Sequence, residues 1–377
     1  MREYLTVFLV AAAVTYLLGV VARELAIRTG AVAKVRERDV HAVPIPYFGG
    51  LAMLGGLFAA YLVAGQLPFL SLSNDNNPLL LRDAGVVLAA GAMICVVGVL
   101  DDLFELDALT KLGGQVLAAG FLVANGVQFY FFPTPSGGQV SLPEAQRALI
   151  SVLVVVATVN AVNFIDGLDG LATGVVAIGA VAFFLFAYTL AAVNNATLAI
   201  TAAVLTAALG GACAGFLPHN FFPARVFMGD SGSMLIGLVL AGSALTLTGQ
   251  FAAGVLTEGA GGGETSLLLA LLPIFLPISI LIVPFVDLAL AVVRRTRAGR
   301  SPMAPDKQHL HHRLLEIGHS HRRAVLIMWL WAGLIGFGGV LAGLYSGTLT
   351  TAILILWALA TAALTFYLPR FQRSRLP

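Results

Sequence analysis

The chain alternates long apolar runs with short polar connections. A bilayer core needs about 20 apolar residues per helix, and that measure predicts about eleven spans. They fall at about 4–22, 47–69, 84–100, 112–132, 148–165, 170–193, 196–217, 231–256, 267–293, 324–345 and 350–368. Arg2 precedes the first run, but no small-residue cleavage site and polar mature domain follow it, so it is expected as a retained helix. The ninth run carries Pro273, Pro277 and Pro284 and is expected to be kinked or broken. Asp287 near its end should face protein or the interface and not lipid. Connections 71–78, 136–143 and 259–263 are Gly, Ser, Asn and Pro stretches that predict plain loops.

Composition sharpens this picture. A length of 377 residues would ordinarily suggest two or three soluble domains. Here 59% of residues are hydrophobic, only 11% are charged, and mean hydropathy is +0.92. A soluble protein carries about 25% charge, so the bilayer must be the solvent for most of this chain. The expected fold is one all-α polytopic domain over 1–377. Cys95 and Cys213 lie inside apolar runs and read as small buried hydrophobes without a disulfide.

The net charge of +2 says little, whereas its placement says much. Every Lys and Arg except Arg2, Arg82 and Arg147 falls after an odd-numbered span or in the C-terminal tail. The positive-inside rule then places the C-terminus and those connections in the cytoplasm and the N-terminus outside. The cytoplasmic loops are expected at about 23–46, 101–111, 163–170, 218–231 and 294–323.

Four polar clusters sort to that same side. Asp101 and Asp102 end the third run, followed by Glu105 and Asp107. A solvated helix end is one reading. Acids there oppose the helix dipole, however, so a metal or Lys111 should offset them. Adjacent carboxylates can also bind Mg²⁺ or accept a proton. Asn160, Asn163, Asp166 and Asp169 follow at a stride of three, which would spiral around a continuous helix and turn some toward lipid. A turn through 165–167 avoids that cost and aims them into a shared cleft; the plainer reading is polar glue between helices. The run FMGDSGS (227–233) opens the eighth span. Its small residues let backbone N–H groups approach a phosphate, with Asp230 holding the accompanying cation, although it is not a Walker loop. His309, His311, His312 and Arg313 form an anion clamp in the most basic connection, with zinc or anionic lipid as alternatives. Hard oxygen ligands beside a cationic clamp at a membrane surface call for a Mg²⁺-bound diphosphate.

At these residues the sequence resembles a known family. NAVNFIDGLDGLATG (160–174), FMGDSGS (227–233) and HLHHRLL (309–315) are similar to the polyprenyl-phosphate N-acetylhexosamine-1-phosphate transferases of the WecA/TagO type. Asp101 and Asp102 with Lys111 and Gln115 also fit, as do His41, Pro46, Gly49 and Gly50. The resemblance runs in order from about 34 to 325. Tyr47 and Phe48 depart from it, standing where a basic or small residue is expected.

The resemblance implies transfer of GlcNAc-1-phosphate from UDP-GlcNAc to polyprenyl phosphate (undecaprenyl or decaprenyl), releasing UMP. It implies Mg²⁺ as cofactor, with Mn²⁺ as a substitute, on Asn163 and Asp230. Asp101 and Asp102 would handle the acceptor phosphate, and Lys111 would contact phosphate. Asp166 and Asp169 would belong to the nucleotide site. Asn160, His41 and His309 would bind substrate, while His311, His312 and Arg313 would engage diphosphate and sugar. The enzyme would lie in the plasma membrane with its active site on the cytoplasmic face, with lipid but no nucleic acid as partner. Lipid-facing Gly and Ala would permit a homodimer. Within the class, UDP-MurNAc-pentapeptide or another UDP-HexNAc is the alternative donor. The alternative from another class is a transporter, which should carry midplane charges on several helices, whereas these acids lie at helix ends.

Overall fold

The structure is a computed structural model describing residues 1–33, 44–76, 78–133, 139–193, 199–248, 318–345 and 347–366, with Phe275, Thr296, Arg297, Gly299 and Leu314. Among the described residues the helices are α1 (Arg2–Thr29), α2 (Gly49–Ala64), α3 (Pro68–Asn76), α4 (Leu79–Phe104), α5 (Ala108–Ala124), α6 (Glu144–Ile165), α7 (Leu171–Val193), α8 (Ala199–Asn220), α9 (Gly229–Thr248), α10 (His321–Leu344) and α11 (Thr348–Phe366). Eight are long and apolar enough to cross a membrane, and α2 and α5 are shorter apolar helices beside them. The chain is thus a helical, multi-pass membrane protein. Each predicted span overlaps a described helix except the ninth, 267–293, which apart from Phe275 lies outside the described residues together with its prolines and Asp287.

Helices α8 and α9 form the centre. Both are rich in Ala and Gly, and nearly all of each is buried. A Cβ on Gly211 would lie 2.2 Å from the Phe8 carbonyl oxygen, and one on Gly215 2.1 Å from that of Ala12. Helices α1 and α8 therefore meet backbone to backbone, the contact small residues make possible in membranes. Around this pair, α2 lies on α1, α4 and α6 on α9, and α7 on α8, with α10 against α7. Cys95 and Cys213 are buried and free. Helix α11 leaves Leu349, Ile353, Leu356 and Leu359 exposed, as a helix facing acyl chains should.

Three local expectations are corrected. Helix α5 stops at Ala124, short of 132, because Asn125 and Gly126 end it. Gly126 takes φ +88°, and the Val127 amide returns to the Leu122 carbonyl at 2.9 Å. The stretch 136–143 is no plain loop, since Gln139–Ser141 pairs antiparallel with Phe131–Pro133. Nor is 71–78, most of which is α3. The Glu3 carboxylate accepts the amides of Phe69 (2.8 Å) and Leu70 (3.0 Å), filling the donors at the start of α3. That acid lies 66 residues before Phe69, so local composition could not show it.

The connections after α1, α4, α6 and α8 gather at one end of the bundle. Phe227 donates its amide to the Pro46 carbonyl (2.9 Å), and Gly49 donates to the Phe227 carbonyl (3.0 Å). Arg322 at the start of α10 donates to the Phe222 carbonyl (3.1 Å). Every predicted polar cluster with described residues lies at this end.

Candidate active site

Two helix ends place Lys111, the one lysine among the described residues. Helix α4 closes at Glu105, whose backbone is left-handed (φ 52°) and whose amide bonds the Asp101 carbonyl at 2.9 Å. Asp107 then caps α5, accepting the amides of Leu109 and Thr110, each at 3.0 Å, and the Thr110 hydroxyl. The Thr110 bonds foremost hold the Asp107 carboxyl below its ordinary pKa. This tight reversal folds α5 back beside α4. Lys111 Nζ lies 2.6 Å from Asp101 Oδ2 and 2.8 Å from Asp230 Oδ2. Of the two cations expected to offset the acids at the end of α4, Lys111 is thus placed against Asp101.

Helix α6 ends as the glycines after Asn163 require. It runs to Ile165, the Asp166 amide turns back to the Asn163 carbonyl (3.3 Å), and Gly170 at φ +77° starts the chain toward α7. Because the helix stops, the stride-of-three residues do not spiral into lipid. Asn163 Nδ2 donates to Asp230 Oδ1 (3.0 Å) and to Ser233 Oγ (2.9 Å). Both amide hydrogens are thereby used, which leaves Oδ1 as the atom a cation could take. One turn earlier, Asn160 Nδ2 donates to Gln115 Oε1 (2.5 Å) and the Val156 carbonyl (2.8 Å).

Asp166 and Asp169 follow on the turn. Burial first, and then the negative charges of Asp230, Asp102 and Asp169, push the Asp166 carboxyl well above its ordinary pKa. Asp169 Oδ2 accepts the Ala224 amide (2.9 Å) and so holds the loop between α8 and α9. Asn220, fully buried, bonds that loop from below. Its Oδ1 accepts from the Gly170 amide (3.1 Å) and the Thr173 hydroxyl (2.8 Å), and its Nδ2 donates to the Val226 carbonyl (3.2 Å).

At the glycine-rich opening of α9 a side-chain carboxyl group already stands where the sequence predicts a phosphate. Asp102 Oδ1 accepts the Asp230 amide (2.9 Å), and Oδ2 accepts the Ser231 amide (3.3 Å). Gly229 has φ +69°, and a Cβ there would lie 2.4 Å from the Asp102 carboxylate.

A cavity of about 340 Å³ opens between α5, α6 and α9. Its polar wall carries Lys111, Gln115, Asn160, Asn163 and Asp230, and its apolar wall includes Leu106, Ala108, Leu112 and Met234. Asp101 adjoins the polar wall through Lys111, whereas Asp102 lies behind it, against α9. Asp166 and Asp169 sit on the turn toward the 221–228 loop. His41, His309, His311, His312 and Arg313 lie outside the described residues. Ser233 and Asn220 were not expected. A serine three residues after Asp230, on the same helix face, is the signal for the first. An amide ending the apolar run of α8 is the signal for the second.

Residues 84–248, which carry every described acid of the cluster, match the Glycosyl transferase family 4 profile. The chain is 45% identical to the decaprenyl-phosphate N-acetylglucosaminephosphotransferase of Mycobacterium tuberculosis strain H37Rv, over 99% of this chain and 91% of that one. It is 44% identical to the protein of the same description from Mycolicibacterium smegmatis, over 99% and 90%. It is 26% identical to the undecaprenyl-phosphate alpha-N-acetylglucosaminyl 1-phosphate transferase of Escherichia coli K12, over 85% and 79%.

Proposed function

Because the chain belongs to the polyprenyl-phosphate N-acetylhexosamine-1-phosphate transferases of glycosyl transferase family 4, we propose that it moves GlcNAc-1-phosphate from UDP-GlcNAc to decaprenyl phosphate. UMP leaves and decaprenyl-diphospho-GlcNAc remains. The relatives at 44–45% identity support both the sugar and the lipid of this reading. The observation that carries it to particular residues is one lysine shared by two carboxylates at the mouth of an amphipathic cavity. An anionic headgroup fits the Lys111 wall, and the start of an isoprenoid chain fits Leu106 and Leu112.

The donor set fits a hard dication. Asp230 and Asn163 are in contact, and Asp101 Oδ1 is buried without a hydrogen-bond partner among the described residues. Mg²⁺ held by Asp230 and Asn163 would spread the charge that develops on the donor diphosphate. Lys111 adds fixed positive charge at the acceptor phosphate, and Asp101 orients it. Arg313, His309, His311 and His312 clamp the diphosphate and sugar, while Asp166 and Asp169 serve the nucleotide side. The lipid phosphate is already an anionic oxygen nucleophile, its second pKa being about 6, so no strong base is required. Direct attack on the sugar-proximal phosphorus demands mainly positioning and electrostatics.

The charge placement along the chain supports eleven spans, an external N-terminus and a site on the cytoplasmic face of the plasma membrane. One assay tests the chemistry: purified full-length protein, decaprenyl phosphate, Mg²⁺ and a panel of UDP-sugars, with UMP release as readout. Lipid-dependent release with UDP-GlcNAc is expected. Release with UDP-MurNAc-pentapeptide alone, or none that depends on lipid, overturns the proposal.

A further inference from the structure

Two adjacent carboxylates end α4, and they serve different neighbours. Successive residues on a helix project about 100° apart, so Asp101 and Asp102 face different directions. Asp101 meets Lys111 beside the cavity. Asp102 turns to α9 and accepts the backbone amides of Asp230 and Ser231. The contact is built for this one carboxylate. A Cβ on Gly229 would intrude on it at 2.4 Å, and Gly229 already holds the left-handed backbone that other residues resist. One turn before Asp102, a Cβ on Gly98 would lie 2.3 Å from the Ser231 nitrogen. From the other side, one on Gly50 would lie 2.3 Å from the Gly232 nitrogen. The first turn of α9 is gripped between α2 and α4, whose glycines bring backbone against backbone on either side of it.

We infer that Asp102 is a positioning residue: it anchors the first turn of α9 and so fixes the Asp230 carboxylate against Lys111 and Asn163, without touching the lipid phosphate. Its two oxygens already receive the amides that a phosphate at this helix N-terminus would need. A shift of about 1 Å in Asp230 is enough to cost about 100-fold in rate, so loss of the anchor should act on turnover more than on acceptor binding. This inference rests on reading the cavity as the transferase site, but its first readout does not depend on that reading.

The first readout is hydrogen–deuterium exchange over 226–234 in the full-length protein, compared among wild type, Asp102→Ala and Asp101→Ala. The amides of Asp230 and Ser231 should exchange about tenfold faster in Asp102→Ala and within about twofold of wild type in Asp101→Ala. Asp102→Asn keeps one acceptor oxygen and should fall between. In the UMP-release assay, Asp102→Ala should lower kcat about 100-fold while the KM for decaprenyl phosphate stays within about threefold. Gly229→Ala pushes a methyl into the same contact and should show the same split. The double variant should lose far less than the product of the single losses, because both substitutions act on one contact. Unchanged exchange in Asp102→Ala overturns the inference. So does a rise in acceptor KM of about tenfold with kcat kept, or losses that multiply in the double variant. If wild type releases no UMP, the functional reading fails, and the exchange experiment still decides whether Asp102 is the anchor.

Discussion

The two ends of the helical bundle use similar side chains in different ways. At the end opposite the cavity, polar side chains bond backbone groups at the ends of helices. Glu3 receives the amides of α3, Arg82 donates to the Asn125 carbonyl (3.3 Å), and Thr201 donates to the Leu80 carbonyl (3.2 Å). These bonds satisfy chain ends that a membrane protein cannot leave bare. At the cavity end, side chains bond one another across long stretches of sequence. Lys111 joins Asp101 to Asp230, Asn163 joins Asp230 to Ser233, and Gln115 pairs with Asn160. Such a network holds charges that backbone satisfaction does not require. Chemistry therefore belongs to this end.

The contrast can be broken in order of expected effect. The largest is all-or-none and concerns sidedness. Asp75→Cys on α3 should react with an impermeant thiol reagent in intact cells, and Leu109→Cys on α5 only after permeabilisation. The reverse pattern would overturn the orientation. The native Cys95 and Cys213 are buried and add little background.

Next comes the network itself. Asp230→Asn should lower kcat/KM by about 1000-fold and raise the Mg²⁺ concentration needed for half-maximal rate, because an amide is a poorer ligand for a hard dication. Wild-type activity at low Mg²⁺ in that variant rules out the metal assignment. Lys111→Met should cost about 100-fold and also lower Tm, since it strands two carboxylates that share one cation. An unchanged Tm would mean that Lys111 serves substrate alone.

A smaller effect is read through pH. Asp166 has its folded pKa raised, so the native state binds a proton that the unfolded chain releases. Stability should fall as pH climbs above the ordinary carboxylate value of about 4. In metal-free protein, Asp166→Asn should flatten that decline and raise Tm near neutral pH. Parallel Tm–pH curves for the two proteins would refute the shift. The smallest effect belongs to the opposite end. Glu3→Gln should cost at most about 1 kcal/mol of stability and leave UMP release within about twofold. A large loss of activity would erase the distinction between the ends.

The hydropathy pattern made the helices legible, because a span must be apolar over a fixed length. It also exposed the acids and amides of the site, which stand out against so little charge. What escaped was whatever depends on distant partners. Glu3 capping α3 could not be read from 71–78, where Ser and Asn suggested a loop. The glycines of 229–232 suggested a phosphate site, and only the fold shows the Asp102 carboxylate in that place. The turn after α6 was legible because it is local: Asn163, Gly167 and Gly170 leave a helix few other ways to end.

The packing beneath the site has an electrical consequence. From Ser231 to Leu247 every residue of α9 is buried, and neither that stretch nor α8 from Ala199 to Leu217 contains an ionisable Asp, Glu, Lys, Arg or His. Three of the hydroxyls bond their own helices, Ser243 to the Val239 carbonyl (2.7 Å), Thr246 to that of Ser243 (2.8 Å) and Thr206 to that of Ala202 (2.6 Å), whereas Thr201 reaches the Leu80 carbonyl of α4. These two stretches therefore supply no charged side chain along which a proton or ion could hop from the acid cluster to the opposite face. Each elementary charge crossing a membrane exchanges about 2.3 kcal/mol per 100 mV with the membrane potential. Along Ala199–Leu217 and Ser231–Leu247, then, the acid cluster has no carboxylate, amine, guanidinium or imidazole by which to exchange charge with the opposite face and draw on that potential.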